Sequence, residues 1–412
     1  MTKGKKKSYF GDKHKGDNTL YKIIFAIVLI GAILVGGFKV SNWFQNKITE
    51  HIEASAPERL ENAQSLLEAD NPTQALEEIQ PILDRVDNTD ISPKAILMHI
   101  EIVRHQLNNE AVEGLLKSII DQYPDAPEYP QVAVEYARLL EEQDKMEESL
   151  ALYKTIYETV PSSMRAPATT AMGREKERKS KPYEAIKLYK QALTEAPYNS
   201  SEWEEAAGYL GDLNTSLLFS QSKTLDSKSY VVVSGDSLTS IGSKLNITQG
   251  QLLRANGMTN PNTLRLNQML KYTPKDFNIL IERSTCRIYL MDGQGLFKMY
   301  KTGLGRPEKK TTKGRYKVGN KEKNPTWHKP GAVPISPGDP ENELGSRWLP
   351  LIPEEAGLPT DLGIHGTIHP DSIGKYSSSG CPRMHNAEVE ELYDLVVRST
   401  PVQILETFIP PS

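Results

Sequence analysis

The sequence predicts a multidomain protein, with one transmembrane helix, an all-α helical-repeat region, a small βααβ module and a mostly-β C-terminal domain. Three observations predict this order: an uncharged apolar run near the N-terminus, a repeated helical pattern, and strand-like alternation after Pro274. A chain of 412 residues also exceeds the length of one ordinary domain. The net charge of −4 carries no basic excess of the kind that nucleic-acid binding requires.

The N-terminus combines a basic tail with an apolar run. Residues 1–22 contain seven lysines and two aspartates, and the run "IIFAIVLIGAILVGGF" at 23–38 contains no charge. A cleaved signal peptide has the same order, but no small-x-small cleavage site closes this run. We therefore expect a retained transmembrane signal anchor at 23–38. The positive-inside rule places residues 1–22 in the cytoplasm and the following domains outside the cell membrane, in the periplasm or cell wall.

Residues 50–218 read as helical and contain a repeat. Leu150 and Ile186, Tyr153 and Tyr189, and Pro161 and Pro197 are matching positions 36 residues apart, and a weaker copy lies at 63–83. The order of small, aliphatic and aromatic residues resembles tetratricopeptide repeats, which bury their apolar faces only against neighbouring repeats. Two interpretations stay open: a spacer that lifts the C-terminal half away from the membrane, and a groove that binds a protein partner.

A polar linker then leads into a short module at 229–274. The pattern predicts a strand at 231–233, a helix through Leu238 and Ile241, a second helix capped by Thr248, and a closing strand in "QMLKY". The series Tyr-x-Val-x-x-Gly-Asp-Ser-Leu-x-x-Ile from Tyr230, with Leu253-x-x-Asn256 and Gln268-x-Leu270, resembles the LysM module. It departs at Gly242, usually alanine, and at Asn267, usually glycine.

The LysM resemblance implies binding to glycans that contain N-acetylglucosamine, in a shallow groove between two loops. On this resemblance the candidate glycan-binding residues are Gly235, Asp236, Ser237, Asn260 and Pro261. The same residue types are common in turns and helix caps, so a purely local role is the alternative.

The C-terminal part contains the chemistry. The segment "FNILIERSTCRIYLMD" predicts two strands, "LFKMYKTGLG" a third, and "PVQILETF" a last one, and residues 387–397 predict a helix with Asn386 as its N-cap. Of the two cysteines, Cys381 lies in "SSSGCPRM", whereas Cys286 lies at a hairpin and is expected to be structural. A disulfide between them would remove a working thiol.

Three roles for Cys381 are possible: nucleophile, metal ligand or buried inert side chain. A nucleophilic thiol needs a base, and His365 is the candidate because Gly366 after it permits a close approach of chain and substrate. Gly380 lacks a Cβ, so its N–H and that of Cys381 can face an oxyanion. A metal site with His369 and His385 is disfavoured, because "HGTIHP" cannot form the helix that such spacing requires. No metal or cofactor is expected.

These residues resemble the catalytic motif of the L,D-transpeptidases, His-Gly-Thr followed by Ser-x-Gly-Cys-x-Arg-Met. The segments "TGLGRPEKKTTKGRYKV", "NPTWHKPG" and "PGDPENELGSRW" extend the resemblance over 277–408. It implies a mostly-β fold, Cys381 as nucleophile, His365 as base and Gly380 in the oxyanion hole. The candidate substrate-binding residues are Arg383, Ser378, Gly366 and Trp327.

The resemblance implies an enzyme that acts on peptidoglycan stem peptides. Cys381 would attack the bond between an L-centre and D-alanine in a tetrapeptide stem, and a diamino acid on a second stem would resolve the thioester as a 3-3 cross-link. Two departures concern Ser379, where many members have histidine, and Pro382, which removes a backbone N–H beside the thiol. An L,D-carboxypeptidase and a non-catalytic wall-binding scaffold are the alternatives.

Overall fold

The computed structural model describes residues 19–105, 109–328, 331 and 333–408. The chain divides into two compact units, residues 1–139 and residues 140–412. Residues 1–18 of the predicted cytoplasmic tail at 1–22 lie outside the described residues, and so do the side chains of the predicted anchor at 23–38. In the described part of the chain, no helix is both long enough and apolar enough to cross a membrane.

The described residues of the first unit form helices joined by short loops. Its helices are α1 (Thr19–Glu68), α2 (Pro72–Arg85), α3 (Ser92–His105), α4 (Asn109–Gln122) and α5 (Tyr129–Glu142), the last of which ends in the second unit. Apolar side chains at helical spacing form its core, for example Ala75, Ile79 and Ile82 on α2, each fully buried. The hydroxyl of Tyr123 donates to Asp87 at 3.0 Å and ties α4 back to the loop after α2.

Helices continue at the start of the second unit. They are α6 (Met146–Thr159), α7 (Ala166–Arg178), α8 (Pro182–Glu195) and α9 (Ser201–Phe219). The repeat positions Tyr153 and Tyr189 are both buried, and the helices that contain them end just before Pro161 and Pro197. The predicted all-α region is therefore confirmed, whereas the likeness to tetratricopeptide repeats stays a prediction.

The βααβ module is present. It consists of β1 (Lys228–Val231), α10 (Leu238–Leu245), α11 (Gln249–Ala255) and β2 (Met269–Tyr272), with β1 antiparallel to β2. The first strand begins three residues earlier than predicted. Both departures from the LysM pattern have a local reason. Asn267 adopts φ 64°, which asparagine tolerates better than most residues, and a Cβ on Gly242 would lie 2.7 Å from the carbonyl oxygen of Ile247.

The C-terminal domain is built on a mixed sheet. Its strands are β3 (Phe277–Glu282), β4 (Arg287–Asp292), β5 (Gly295–Lys301), β7 (Gly314–Val318), β8 (Glu322–Lys323), β9 (Arg347–Pro353), β10 (Gly363–His365) and β12 (Pro401–Leu405). The order is β10-β9-β7-β12-β3-β4-β5, with β8 beside β9. A separate parallel pair joins β6 (Leu304–Gly305) to β11 (Tyr376–Ser378), and α12 spans Asn386–Leu395.

Both faces of this sheet are covered. On β3 and β4 the side chains of Ile279, Ile288 and Leu290 enter the main core, which α12 closes. The alternate residues Tyr289 and Met291 pack on the opposite face with side chains of α8 and α9. Since side chains of a strand alternate between faces, strand β4 is buried over almost its whole length by cover on both sides. Helix α9 is therefore part of the wall of the catalytic domain.

The βααβ module is attached to the same body. The ammonium group of Lys271 donates to the carbonyl oxygens of Leu217 and Ser220 at the end of α9, at 3.1 and 2.5 Å. The guanidinium of Arg254 lies 3.4 Å from the centre of the Phe219 ring. The hydroxyl of Thr248 donates to the carbonyl oxygen of Asp394 on α12. These contacts fix the module against the catalytic domain within the second unit.

Candidate active site

His365 occupies the last position of β10, opposite Trp348 on β9. Its Nδ1 lies 2.6 Å from the carbonyl oxygen of Gly366. A carbonyl oxygen only accepts hydrogen bonds, so Nδ1 holds the ring proton and Nε2 is left as the basic nitrogen. Burial, with a smaller contribution from the positive charge of Arg383, lowers the pKa of His365 to about 4. The imidazole is therefore neutral at neutral pH.

The segment around Cys381 forms backbone hydrogen bonds with two neighbouring segments of the chain. Arg383 exchanges two backbone hydrogen bonds with Gly303, both 2.8 Å, and the N–H of His365 donates to the carbonyl oxygen of Pro382 at 3.1 Å. This pairing sets the nucleophile segment beside the histidine strand. The absence of an N–H on Pro382 costs no hydrogen bond in this pairing, because the residue takes part only through its carbonyl.

The thiol and the imidazole line one cavity of about 420 Å³. The Sγ of Cys381 lies 3.8 Å from the carbonyl oxygen of Asp361. Burial raises the pKa of the Cys381 thiol, and the negative charge of Asp361 raises it further. The thiol is therefore neutral at neutral pH, and it shares the cavity with a neutral imidazole.

The turn before the thiol differs from the sequence expectation. Gly380 adopts φ 125°, a conformation in which side chains are strained, and its N–H donates to the Oγ of Ser378 at 3.1 Å. That N–H is therefore engaged in shaping the turn. The N–H of Cys381 has no acceptor among the described residues, so it is the donor available to an oxyanion. Ser378 is buried and acts here as a positioning residue.

Sequence reasoning missed Thr311, which supports the turn from below. Its hydroxyl accepts from the N–H of Gly305 at 3.0 Å and donates to the carbonyl oxygen of Gly380 at 2.7 Å. Thr311 is 1% exposed, so the hydroxyl has no water to replace these partners. Nothing in "KKTTKG" distinguishes this threonine from Thr312 beside it, because the contact is made across the fold.

Asn386 was predicted to cap α12, and that prediction is wrong. The N-cap position is His385, and no side chain caps the helix there. The Oδ1 of Asn386 instead accepts from the N–H groups of Ser346 and Thr367, at 3.1 and 3.2 Å, and its Nδ2 donates to the carbonyl oxygen of Thr367. A Cβ on Gly366 would lie 2.1 Å from that Oδ1. Gly366 thus makes room for Asn386, which holds the His-Gly-Thr segment.

Arg383 is buried in the cavity wall, and part of its fork is occupied. Its Nη2 donates to Glu343 at 2.7 Å, while its Nε is buried and has no hydrogen-bond partner among the described residues. Trp327 lines the same cavity and exchanges two backbone hydrogen bonds of 2.9 Å with Ile335. The structure therefore brings Cys381, His365, Ser378, Arg383 and Trp327 together, and adds Asp361, Glu343 and Trp348 to the cavity lining.

The structure also bears on the two other roles considered for Cys381, a disulfide with Cys286 and a metal site. Both cysteines are free, and Cys286 is buried in a tight turn at φ 54° between β3 and β4. His369 precedes a short 3-10 helix at Pro370–Ser372, so it shares no helix with His365. In the described ranges no group of three His, Cys, Asp or Glu side chains could hold a metal ion.

The five candidate glycan-binding residues lie in the two loops that leave β1 and enter β2. Asp236 accepts from the N–H of Val233 and from the hydroxyl of Tyr230, both at 2.9 Å. Ser237 caps α10 and Asn260 accepts from the N–H of Asn262, at the 3-10 helix that begins with Pro261. Gly235 adopts φ 86° in the first turn. These residues therefore shape the loops, and the loops themselves face solvent.

Known proteins share these two modules. Residues 276–404 match YkuD, the L,D-transpeptidase catalytic domain, and residues 230–273 match the LysM domain. A relative named L,D-transpeptidase YkuD, from Bacillus licheniformis, is 31% identical over 42% of this chain and 97% of its own length. The chain belongs to the L,D-transpeptidase family. Another relative, L,D-transpeptidase YqjB of Bacillus subtilis, is 31% identical over 32% of this chain and 73% of its own length.

A solved structure is also similar, the NMR structure of the catalytic domain from an E. faecium L,D-transpeptidase. It is 22% identical over 32% of this chain and 98% of that chain, with a TM-score of 0.25. The two matched modules indicate that this L,D-transpeptidase binds peptidoglycan. The family also makes the chain an acyltransferase of peptidoglycan chemistry.

Proposed function

We propose that this chain is a peptidoglycan L,D-transpeptidase in which Cys381 is the nucleophile and the product is a 3-3 cross-link. The observation that carries the proposal is one cavity lined by a thiol, a neutral imidazole and a buried guanidinium. Its size fits a peptide segment, and Trp327 and Trp348 supply apolar walls. The LysM groove would hold the glycan of the same polymer and so raise the local concentration of stem peptides.

In the first half-reaction Sγ of Cys381 attacks the carbonyl carbon between the L-centre and D-alanine. Nε2 of His365 takes the thiol proton as the C–S bond forms. The N–H of Cys381 donates to the oxyanion, a contribution that typically accounts for about 2.7–4 kcal/mol in such sites. The intermediate then collapses, the C–N bond breaks, and His365 returns the proton to the amine of the departing D-alanine.

In the second half-reaction an amine of another stem attacks the thioester. The new C–N bond forms, His365 takes a proton from the amine, the C–S bond breaks and Sγ recovers the proton. If water attacks in place of the amine, the same site acts as a carboxypeptidase. The neutral state of the imidazole supports this cycle, because His365 begins and ends each half-reaction neutral.

The test uses the protein with its helical region retained, since α9 covers one face of the catalytic sheet. Wild type, Cys381→Ala and Cys286→Ala are incubated with purified tetrapeptide muropeptides, and product masses are measured. A dimer that has lost one D-alanine, formed by wild type and Cys286→Ala but not by Cys381→Ala, is expected. Loss of D-alanine without dimer would indicate a carboxypeptidase. Unchanged muropeptides with a folded protein would refute the proposal and leave a wall-binding scaffold.

We also propose that residues 23–38 anchor the enzyme in the cell membrane, with the lysine-rich tail in the cytoplasm and the catalytic domain outside. The charge pattern of the sequence supports this arrangement. The helical region would then serve as a spacer or as a docking surface for a protein partner. Fractionation of cells that express the full chain or a chain lacking residues 1–38 tests the anchor. Equal recovery of both in the soluble fraction would refute it.

A further inference from the structure

A second cleft lies between the βααβ module and the catalytic domain, away from the two loops in which the LysM resemblance places a glycan groove. Its volume is about 360 Å³. The module contributes residues of α10, of the start of α11 and of the loop between them. The catalytic domain contributes residues at β8 and at the end of α12. Neither part of the chain forms this cleft alone.

The two walls of the cleft meet in a close contact at Asp394. The hydroxyl of Thr248 donates to the carbonyl oxygen of Asp394, and the Asp394 carboxylate pairs with Arg254 at 3.8 Å. A Cβ on Gly250 would lie 2.1 Å from Oδ1 of Asp394, so the lack of a side chain there permits the approach. The carboxylate that lines the cleft is thus already matched by a cation of the module.

The catalytic wall of the cleft has an excess of positive charge, from Lys321, Lys323 and Arg398. The ammonium group of Lys321 donates to the carbonyl oxygens of Tyr393 and Val396, both at 2.5 Å, and so joins the start of β8 to the end of α12. Lys323 and Arg398 are exposed and form no ion pair within the described ranges. Two positive charges are therefore left for an anionic ligand.

The opposite wall, on the module, is uncharged and can form hydrogen bonds. The hydroxyl of Ser243 donates to the carbonyl oxygen of Thr239 at 3.0 Å and can still accept. The side-chain amides of Asn246 and Gln249 form no hydrogen bond with any residue that the structure describes. Hydroxyl and amide groups that face two cations suit a ligand with both hydroxyl groups and a negative charge.

Only one strand separates this cleft from the catalytic cavity. Glu322 of β8 lines the cavity that contains Cys381, whereas Lys321 and Lys323 on either side of Glu322 line the cleft. Successive side chains of a strand point to opposite faces, which accounts for this alternation. A polymer that lies in the cleft is therefore held beside the cavity of the thiol.

We infer that the cleft binds a saccharide that carries an acidic stem peptide. The sugar hydroxyls lie against Thr239, Asn246 and Gln249, and a stem carboxylate accepts from Lys323 and Arg398, since guanidinium and ammonium groups form strong hydrogen bonds with carboxylates. This inference rests on the proposed function, because the polymer on which the enzyme acts has both groups. A chain of N-acetylglucosamine without stems lacks the carboxylate and does not use the cleft.

The test measures how far a ligand protects Lys323 from acetylation, by mass spectrometry of the full-length protein. Cys381 is first alkylated with iodoacetamide, which prevents turnover and narrows the catalytic cavity. With saturating disaccharide-tetrapeptide we expect the acetylation of Lys323 to slow about fivefold or more. Lys154 and Lys187, which are exposed on α6 and α8, serve as internal controls and should change less than twofold.

Three further ligands separate the sugar from the acid. They are the same muropeptide with its carboxylates amidated, the free tetrapeptide, and chitotetraose, and each should protect Lys323 less than twofold. Two variants test the place of binding: Arg398→Gln removes one cation, and Ser243→Trp fills the cleft without a change of charge. Both should lose the protection by the disaccharide-tetrapeptide. Ser222→Trp, at an exposed position of the linker, is the matched control and should keep it.

Several results would overturn the inference. Equal protection by chitotetraose or by the amidated muropeptide would show that the carboxylate is not recognised, and equal protection by the free tetrapeptide would show the same for the saccharide. Protection that persists in Ser243→Trp would place the ligand elsewhere, and no protection of Lys323 in wild type would leave the cleft without this ligand. The assay needs no turnover, so its failure is distinct from failure of the proposed function, which would appear as absent alanine release by the unalkylated enzyme.

Discussion

The hydroxyl of Thr311 is the most direct test of how the nucleophile turn is supported. Thr311→Val keeps the size and branching of the side chain and removes one acceptor and one donor. The N–H of Gly305 and the carbonyl of Gly380 then stay buried without a partner, each at a cost of about 1–3 kcal/mol. We expect a loss of at least about 2 kcal/mol in the stability of the catalytic domain, equivalent to a fall of roughly 4–8 °C in its Tm.

Activity should fall as well, because the carbonyl of Gly380 sits one bond from the backbone nitrogen of Cys381. A shifted turn misplaces both Sγ and the oxyanion donor, and we expect alanine release to slow roughly tenfold. The matched control is Thr312→Val, whose side chain is only partly buried and makes no such bridge. Calorimetry gives the Tm, and stopped-time alanine assays give the rate. If the two variants shift both quantities equally, the bridge has no special role.

Three further predictions concern polar side chains of the catalytic domain. The rate of alanine release should fall on the acidic side near pH 4, the lowered pKa of His365, and a fall near pH 6.5 would contradict this. The rate of alkylation of Cys381 should rise only above the ordinary pKa of a thiol, because burial raises the pKa of Cys381. Burial alone would raise the pKa of Glu282, but hydrogen bonds from its neighbours lower the pKa below its ordinary value of 4.5. The ionised carboxylate therefore stabilises the folded protein above that value, and this stabilisation is lost as the pH falls through the folded pKa. Glu282→Gln should cost about 3 kcal/mol by chemical denaturation at pH 7 and less at pH 3, and an equal cost at both would count against the assignment. Asn386→Ala should lower kcat roughly tenfold, because Thr367 loses the amide that holds it. Asn386→Asp should restore part of the rate, since its carboxylate still accepts from the N–H groups of Ser346 and Thr367. No loss of rate in either variant would show that these hydrogen bonds are dispensable.

The sequence predicted the parts of this protein that depend on local pattern. Alternating residues located β3 and β4, helical spacing located α10, and a rare thiol near a histidine located the cavity. What could not be predicted depends on contacts across the fold. Thr311, Asp361 and Glu343 come from separate loops, and only the folded chain brings them to the segment 380–383 around the thiol. The engagement of the Gly380 N–H likewise requires the position of the Ser378 hydroxyl.

Asn386 shows the same limit in one residue. Asn386 directly precedes an amphipathic stretch, and asparagine is a favoured N-cap residue, so both its position and its type predict a helix cap. The structure uses its amide to join two distant backbone segments. The lack of a side chain at Gly366 leaves room for that amide, and the approach of a substrate at Gly366 stays a prediction.

The position of α9 changes where this enzyme can be divided. The family match begins at residue 276, yet Trp203 on α9 packs in one cluster with Tyr289 and Met291 of the sheet. In this chain, the body that packs around the catalytic sheet is therefore longer than the stretch that matches the family. A truncation in the polar linker near residue 225 would leave one apolar face of the sheet exposed. Such a fragment would be expected to self-associate through that apolar face, and its aggregation would not be evidence about the chemistry of the site.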